Sequence, residues 1–269
     1  MCKRLGAASS SSQPLLATLF VVGGKYAFRV TDKFNAYIDG FNLYYGSLLG
    51  HPELKWLDLR TLAANLFEGA EVDKVYYFTS KSKGAFPSDQ GPNRQDRYWR
   101  ILAANGVEVV TGFFNTYDHH LPIATSSLSE FTAPPLRNHF GLVQKAFNTM
   151  TASIAPQKPK AFVTRRSEKA SDVNLASYLL RDVYENGLTH ALVITADADL
   201  ITALRFARQK GVYIGLFPPR RPEDPAPRRL LDETNYIEYL KDHQLLAAQF
   251  PDEVIGLNGK AVRRPESWT

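Results

Sequence analysis

From residue 34 onward, short runs rich in Val, Ile, Tyr and Phe alternate with longer segments of helical period. That alternation constrains the fold more than any other feature, because strands joined by crossover helices pair in parallel and are covered by those helices. The strand runs fall at 35–38, 74–79, 107–111, 160–164, 191–195 and 212–217, and the helical period at 57–67, 93–105, 171–186 and 200–210. Gly187 and Gly211 stand just past the last two helices, where C-terminal glycine caps belong. The expectation is an α/β fold with a mostly parallel central sheet flanked by helices.

A length of 269 residues leaves room for one large domain with extensions, and 44% hydrophobic against 22% charged residues places the chain among globular proteins. Residues 1–33 read as an N-terminal extension. Within it, 15–22 superficially resembles a short signal peptide, while 18–22 and 26–30 around Gly23-Gly24 read as a small hairpin. The main domain spans 34–217, with 118–158 as an inserted loop carrying Pro122, Pro134-Pro135 and Pro156 and a helix near 140–150. The segment 218–229 packs five prolines and four arginines together, so 218–269 reads as a basic Pro/Arg loop and a C-terminal helical tail. No run of eighteen apolar residues occurs, which argues against a transmembrane helix and a membrane partner. The single cysteine, Cys2, excludes an internal disulfide framework and cysteine-rich metal sites and fits a reducing compartment, so the expected location is cytoplasmic.

In a parallel sheet, the residues just past the C-terminal strand ends line one crevice. Asp39 ends the first strand in Tyr37-Ile38-Asp39-Gly40-Phe41-Asn42, where Gly40 lets the backbone turn and Asn42 reaches back as an amide. Asp197 and Asp199 follow the strand that ends at Thr195, and Asp172 opens the helix after 160–164, on one face with Ala176, Leu179 and Val183. Carboxylates converging in a partly buried crevice raise one another's pKa, so such a cluster normally holds a cation. Mg or Mn suits an all-oxygen, incomplete shell that is completed by water and substrate phosphate, and phosphodiester hydrolysis is the reaction it serves best. Each residue also has an ordinary reading. Asp172 and Asp199 sit at helix starts as caps, Asp39 before Gly begins a turn, and Asn42 caps the next helix. Asp197 has the weakest such reading, with Asp199 already supplying the cap; the coincidence at one sheet edge favours the metal site.

At these residues the chain resembles the NYN domain family, PIN-like metal-dependent ribonucleases that include the LabA-like proteins. Tyr37-Ile38-Asp39-Gly40-Phe41-Asn42-Leu43-Tyr44-Tyr45-Gly46 is similar to its opening strand and loop. Val75-Tyr76-Tyr77-Phe78-Thr79 with Arg94-Gln95 and Tyr98 resembles its second unit, and Glu168-Lys169 with Asp172-Val173-Asn174-Leu175-Ala176 its central acidic helix. Thr195-Ala196-Asp197-Ala198-Asp199-Leu200 resembles its closing acidic motif, with Thr-Ala in place of the common Ser-Gly. Tyr178 stands where some relatives carry another acidic residue, which leaves the number of metal ions open. The resemblance covers about 35–217 and implies a PIN-like three-layer sandwich. It further implies Asp39, Asp172 and Asp197 as metal-ligand and catalytic carboxylates, and Asp199 as a fourth. Asn42 and Thr195 would position ligands or phosphate, and Glu168 would be an auxiliary carboxylate.

Lys plus Arg exceed Asp plus Glu by 32 to 27, a net charge of +5 that permits a polyanionic partner such as RNA. Arg94, Arg97 and Arg100 recur on one helix face, Arg165-Arg166 precede the acidic helix, and Arg220-Arg221 and Arg228-Arg229 follow the last strand. These are the candidate phosphate contacts, although for the helical trio taken alone a solvated surface is the better reading. Tyr44, Tyr45, Tyr98 and Trp99 are candidates for stacking on single-stranded bases, with Tyr98 and Trp99 better placed in the core on the stripe 95, 98, 99 and 102. A Toprim-type enzyme also uses Asp-x-Asp after a strand, but wants a glutamate where this chain has Asp39. A non-catalytic RNA-binding or regulatory module is the remaining alternative, and a homo-oligomer is compatible with the sequence.

Overall fold

The structure, a computed structural model, describes residues 19–20, 28–29, 32–82, 88–122, 160–221 and 223–269; for 19–20, 28–29, 114–122 and 160–169 the description is of backbone only. The chain forms two compact units, Met1–Phe113 with Lys169–Thr269, and Phe114–Glu168. The expected helix near 140–150 lies outside the described residues.

Two-residue strands β1 (Leu19–Phe20) and β2 (Phe28–Arg29) pair antiparallel, as the Gly23-Gly24 hairpin reading anticipates. The first unit is built on β3 (Lys33–Asp39), β4 (Glu71–Ser80), β5 (Val107–Pro122), β7 (His190–Ile194), β8 (Tyr213–Leu216) and β9 (Tyr236–Ile237). Every neighbouring pair in the order β5-β4-β3-β7-β8-β9 is parallel. Side chains alternate across this sheet. Phe34, Ala36 and Ile38 of β3 join one buried cluster, together with Leu192 and Ile194 of β7. Tyr37, Ala191 and Val193 join the other, so helices cover both faces and the architecture is a three-layer α/β sandwich.

The first face carries α2 (Leu59–Leu66) and α3 (Gly91–Ala104), through Leu59, Leu62, Ala63, Tyr98, Ile101 and Leu102. The second carries α4 (Ser171–Glu185) and α5 (Ile201–Gln209). Gly187 and Gly211 take φ of 65° and 86°, the left-handed conformation that ends a helix. On α3 the buried stripe is Tyr98, Ile101 and Leu102, one step from the expected one. On α4 it is Ser171, Leu175, Leu179 and Asp182, rotated from the expected 172, 176, 179 and 183. Leu175 and Leu179 dominate the packing, and polar Ser171 and Asp182 extend their line, which hydropathy alone does not show.

Strand β5 runs to Pro122, and β6 (Lys160–Lys169) runs five residues past the expected end, so both continue into stretches expected to be loop. The run Gly112-Phe113-Phe114-Asn115-Thr116-Tyr117 has the composition of a strand, and proline closes it. In the strand order β6 is the neighbour of β5.

The tail is not simply helical. After the Pro/Arg segment come α6 (Arg228–Leu231), β9, α7 (Asp242–Ala247), and a hairpin of β10 (Glu253–Ile255) and β11 (Ala261–Arg263). Leu240, Leu245, Ala248 and Phe250 are buried in the first cluster, and Trp268 packs against it. Trp56, fully buried, meets the rings of Tyr98, Phe250 and Trp268 at centroid distances of about 6 Å, and its Nε1 donates to the Pro251 carbonyl at 2.8 Å. Among the described residues, no helix is long and apolar enough to cross a membrane.

Candidate metal centre at the strand ends

Asp39 is the last residue of β3 and also the N-cap of the short helix α1 (Gly40–Leu43). Its Oδ1 accepts the Asn42 backbone N–H at 3.0 Å. Its Oδ2 accepts Asn42 Nδ2 at 2.6 Å and the Thr195 hydroxyl at 3.1 Å. Gly40 is required by close approach rather than by a turn. A Cβ there would lie 2.7 Å from the Phe78 carbonyl oxygen and 2.8 Å from the Tyr77 ring. Asp39 is 2% exposed. Burial raises its pKa, hydrogen bonds from Asn42 and Thr195 oppose the rise, and the charge of Asp197 adds to it.

The neighbouring strand supplies the other wall. Thr195, just past β7 and fully buried, accepts the Asp197 N–H on Oγ1 at 3.1 Å while donating to Asp39. The Asn42 side-chain oxygen accepts the Ala196 N–H at 3.3 Å, so this one amide ties both loops together. Asp197, not Asp199, is the cap of the turn Ala198–Leu200, because its Oδ1 accepts the Asp199 N–H at 3.0 Å. The cap expected of Asp199 is thus supplied by Asp197, and both carboxylates belong to the acidic group at this edge.

Asp172 lies in the first turn of α4. The residue before that helix, Ala170, has φ 80°, the only left-handed non-glycine among the described residues, and such strain costs on the order of 1 kcal/mol. One carboxylate oxygen from each of Asp172, Asp197 and Asp199 lies within 4.8 Å of the others. Asp39 is not in this trio. The donor set is three carboxylate oxygens, from two half-buried residues and one exposed one, which could hold a hard divalent cation. The first turn of α4 and the turn leading into α5 point their N-terminal ends at this edge, which tempers the repulsion.

One helix serves two ends of the sheet. Asp182, ten residues after Asp172, is fully buried and accepts Asn35 Nδ2 at 3.0 Å, the Tyr37 hydroxyl at 2.7 Å and Asn186 Nδ2 at 2.7 Å. Ten helical residues rise about 15 Å, close to the roughly 13 Å between Asn35 and Asp39 along β3. The Asp182 network thus anchors α4 at the start of the strands with Asp172 at their far end. Sequence reasoning missed Asp182; its signal was a carboxylate three residues beyond Leu179 on the buried stripe.

The remaining expected residues are dispersed. Arg97 donates to the Arg263 carbonyl at 3.4 Å, Arg100 pairs with Asp96, and Arg220 pairs with Asp224 at 3.2 Å. Arg221, Arg228 and Arg229 are exposed. Arg94 sits close enough to Lys55 for their charges to interact. The side chains of Arg165, Arg166 and Glu168 lie outside the described residues. Tyr98 is core, its hydroxyl donating to the Leu57 carbonyl at 2.7 Å. Tyr178 packs edge-on against Tyr76 and Phe78, with the Arg181 guanidinium 4.2 Å from its ring centre.

Thr195→Val tests the scaffold. It keeps the volume but removes the donor to Asp39 and the acceptor for Asp197 N–H, so unfolding free energy should fall by about 1–3 kcal/mol in urea titrations. An unchanged midpoint would mean that Thr195 does not hold these loops.

No protein-family model matches the chain. It is 28% identical over 251 residues to 6-hydroxy-3-succinoylpyridine 3-monooxygenase HspA of Pseudomonas putida, across 86% of this chain and 74% of that protein. A distant relative is thus an enzyme. A solved structure of a Vibrio parahaemolyticus protein of unknown function is similar over 78% of this chain and 94% of that one, with TM-score 0.43 and 13% identity.

Proposed function

We propose that this chain is a divalent-cation-dependent phosphodiesterase that hydrolyses single-stranded RNA. The observation that carries the reading is the convergence of Asp172, Asp197 and Asp199 within 4.8 Å at the C-terminal edge of a parallel sheet. The ordered series of motifs resembling the NYN family supports it, as does the positive net charge. In this reading the three aspartates hold Mg or Mn, which supplies a water of lowered pKa and positive charge against the phosphoryl oxygens. Asn42 and Thr195 fix the two loops, so the carboxylates meet the substrate already placed. Asp39 acts in this reading by holding Asn42 and Thr195, and through them the two loops. We place the activity in the cytoplasm, which suits a chain with one cysteine. A homo-oligomer is part of the same proposal and is read by light scattering.

A second reading, hydroxylation of a small nitrogen heteroaromatic, is favoured by the monooxygenase relative. Such a reaction places one oxygen atom of O2 in the substrate and reduces the other to water, so it consumes two electrons from a reductant. The two readings separate in one pair of assays. Labelled single-stranded RNA with Mn should be cleaved, and EDTA should abolish cleavage. Intact RNA, together with oxygen consumption on 6-hydroxy-3-succinoylpyridine and a reductant, would replace the first reading by the second.

A further inference from the structure

Close in sequence to Asp39, the chain presents aromatic rings to solvent. Helix α1, capped by Asp39, continues as a π turn, Tyr44–Leu48. Such turns are uncommon and recur at functional sites. Tyr45 is 64% exposed. The Phe41 ring lies nearly parallel to it at 6.4 Å and 14°, and Tyr44 meets it edge-on at 5.3 Å. The turn is held from the other side: a Cβ on Gly46 would fall 1.7 Å from the Pro219 carbonyl oxygen, so loop and turn are in backbone contact. Tyr44 and Tyr45 are therefore exposed, with half-buried Phe41 backing Tyr45, the condition under which a flat ligand stacks at low entropic cost. Tyr45 lies six residues past Asp39, about 9 Å of helix rise from the end of β3.

Charge tells what covers these rings. The Lys55 ammonium stands 5.5 Å from the centre of the Tyr44 ring. Burial and the nearby Arg94 charge disfavour its protonated form and together outweigh the nearby Glu53 carboxylate, so two cations from different elements share one place beside the aromatics. A neutral apolar partner would leave that repulsion in place, whereas phosphates relieve it.

We propose that Tyr45, backed by Phe41 and Tyr44, is a base-stacking platform for single-stranded nucleic acid, with Lys55 and Arg94 contacting the phosphates beside the stacked base. The inference rests on the nucleic-acid reading above and names the subsite that reading lacks. Tyr98 and Trp99 have no part in it.

The test is fluorescence anisotropy of the full chain with a labelled, non-cleavable 2′-O-methyl oligonucleotide in EDTA, which reads binding whether or not the aspartates act on RNA. Tyr45→Ala should weaken binding roughly tenfold, and Tyr45→Phe should restore it, because the stacking face is kept. Lys55→Gln should lower the log-log salt slope by about 0.7. A strand of abasic sugars and phosphates should bind alike to wild type and Tyr45→Ala. Equal affinity of wild type and Tyr45→Ala for the oligonucleotide overturns the platform, and so does equal sensitivity on the abasic strand. Failure of the oligonucleotide to bind, together with a small pyridine carboxylate that wild type binds and Tyr45→Ala does not, assigns the rings to a small-molecule site instead. Failure of cleavage with this binding intact strikes the hydrolytic reading and leaves the platform standing.

Discussion

Asp197→Asn should abolish metal-dependent cleavage and, in EDTA, melt above wild type. Asn caps a helical turn about as well as Asp, so the hydrogen bond to Asp199 N–H survives and the fold is not at stake. What changes is one of three like charges held within 4.8 Å, with the buried Asp39 carboxylate close enough to feel it. Without a cation, removing that charge relieves repulsion. With one, the order reverses. A bound ion stabilises the native chain by RT ln(1 + [L]/Kd), about 2.7 kcal/mol at a hundred times Kd, and the variant forfeits most of that gain. The loss of cleavage should exceed the roughly 10- to 100-fold typical when only a supporting residue around a metal is removed. Identical melting of wild type and variant, with and without Mn, would leave the three aspartates as helix-start residues and nothing more.

The largest effect on stability belongs to the opposite end of α4. Asp182→Leu should cost about 3–5 kcal/mol, read as a lower urea midpoint at unchanged slope, because it strands the donors of Asn35 and Tyr37 inside the sandwich. Tyr37→Phe, which removes one donor and leaves the carboxylate its others, should cost nearer 1 kcal/mol. The same site predicts a pH dependence. Burial works against the Asp182 charge, but hydrogen bonds from Tyr37, Asn186 and Arg181 together outweigh it and hold its pKa below the usual 3.8. A carboxylate depressed in the folded state contributes stability that is present above its unfolded pKa and lost as pH falls through the folded one. The acid limb of the wild-type stability curve, below about pH 4, should therefore be steeper than that of Asp182→Asn. Parallel limbs would mean that the carboxylate is not ionised within its network.

The contrast between these two carboxylates shows what this sequence discloses. Asp39 ends, and Asp197 closely follows, strands whose β-branched and aromatic runs are unmistakable, so their meeting at one edge follows from topology alone. Asp172 is found by the same logic, although the helix carrying it is turned by one position, since Leu175 and Leu179 fix the inward face and two polar neighbours blur it. Asp182 was hidden because a lone aspartate in a helix reads as solvated until the amide of Asn35 and the hydroxyl of Tyr37 are seen opposite it. The tail escaped for another reason: its strands are two or three residues long, and its aromatic anchors acquire meaning only from Trp56, far away in the chain.

That distance bears on how the protein is born. The Trp56 indole and its acceptor on Pro251 are 195 positions apart, an interval that a ribosome adding about 5–20 residues per second takes roughly 10–40 s to cross. Throughout that time the pocket around Trp56 lacks Phe250 and Trp268, so an emerging chain shows greasy surface to whatever is near. Contacts of such long sequence separation also slow folding itself. A nascent chain stalled anywhere before Phe250 is thus a natural client for chaperones, however sound its central sheet.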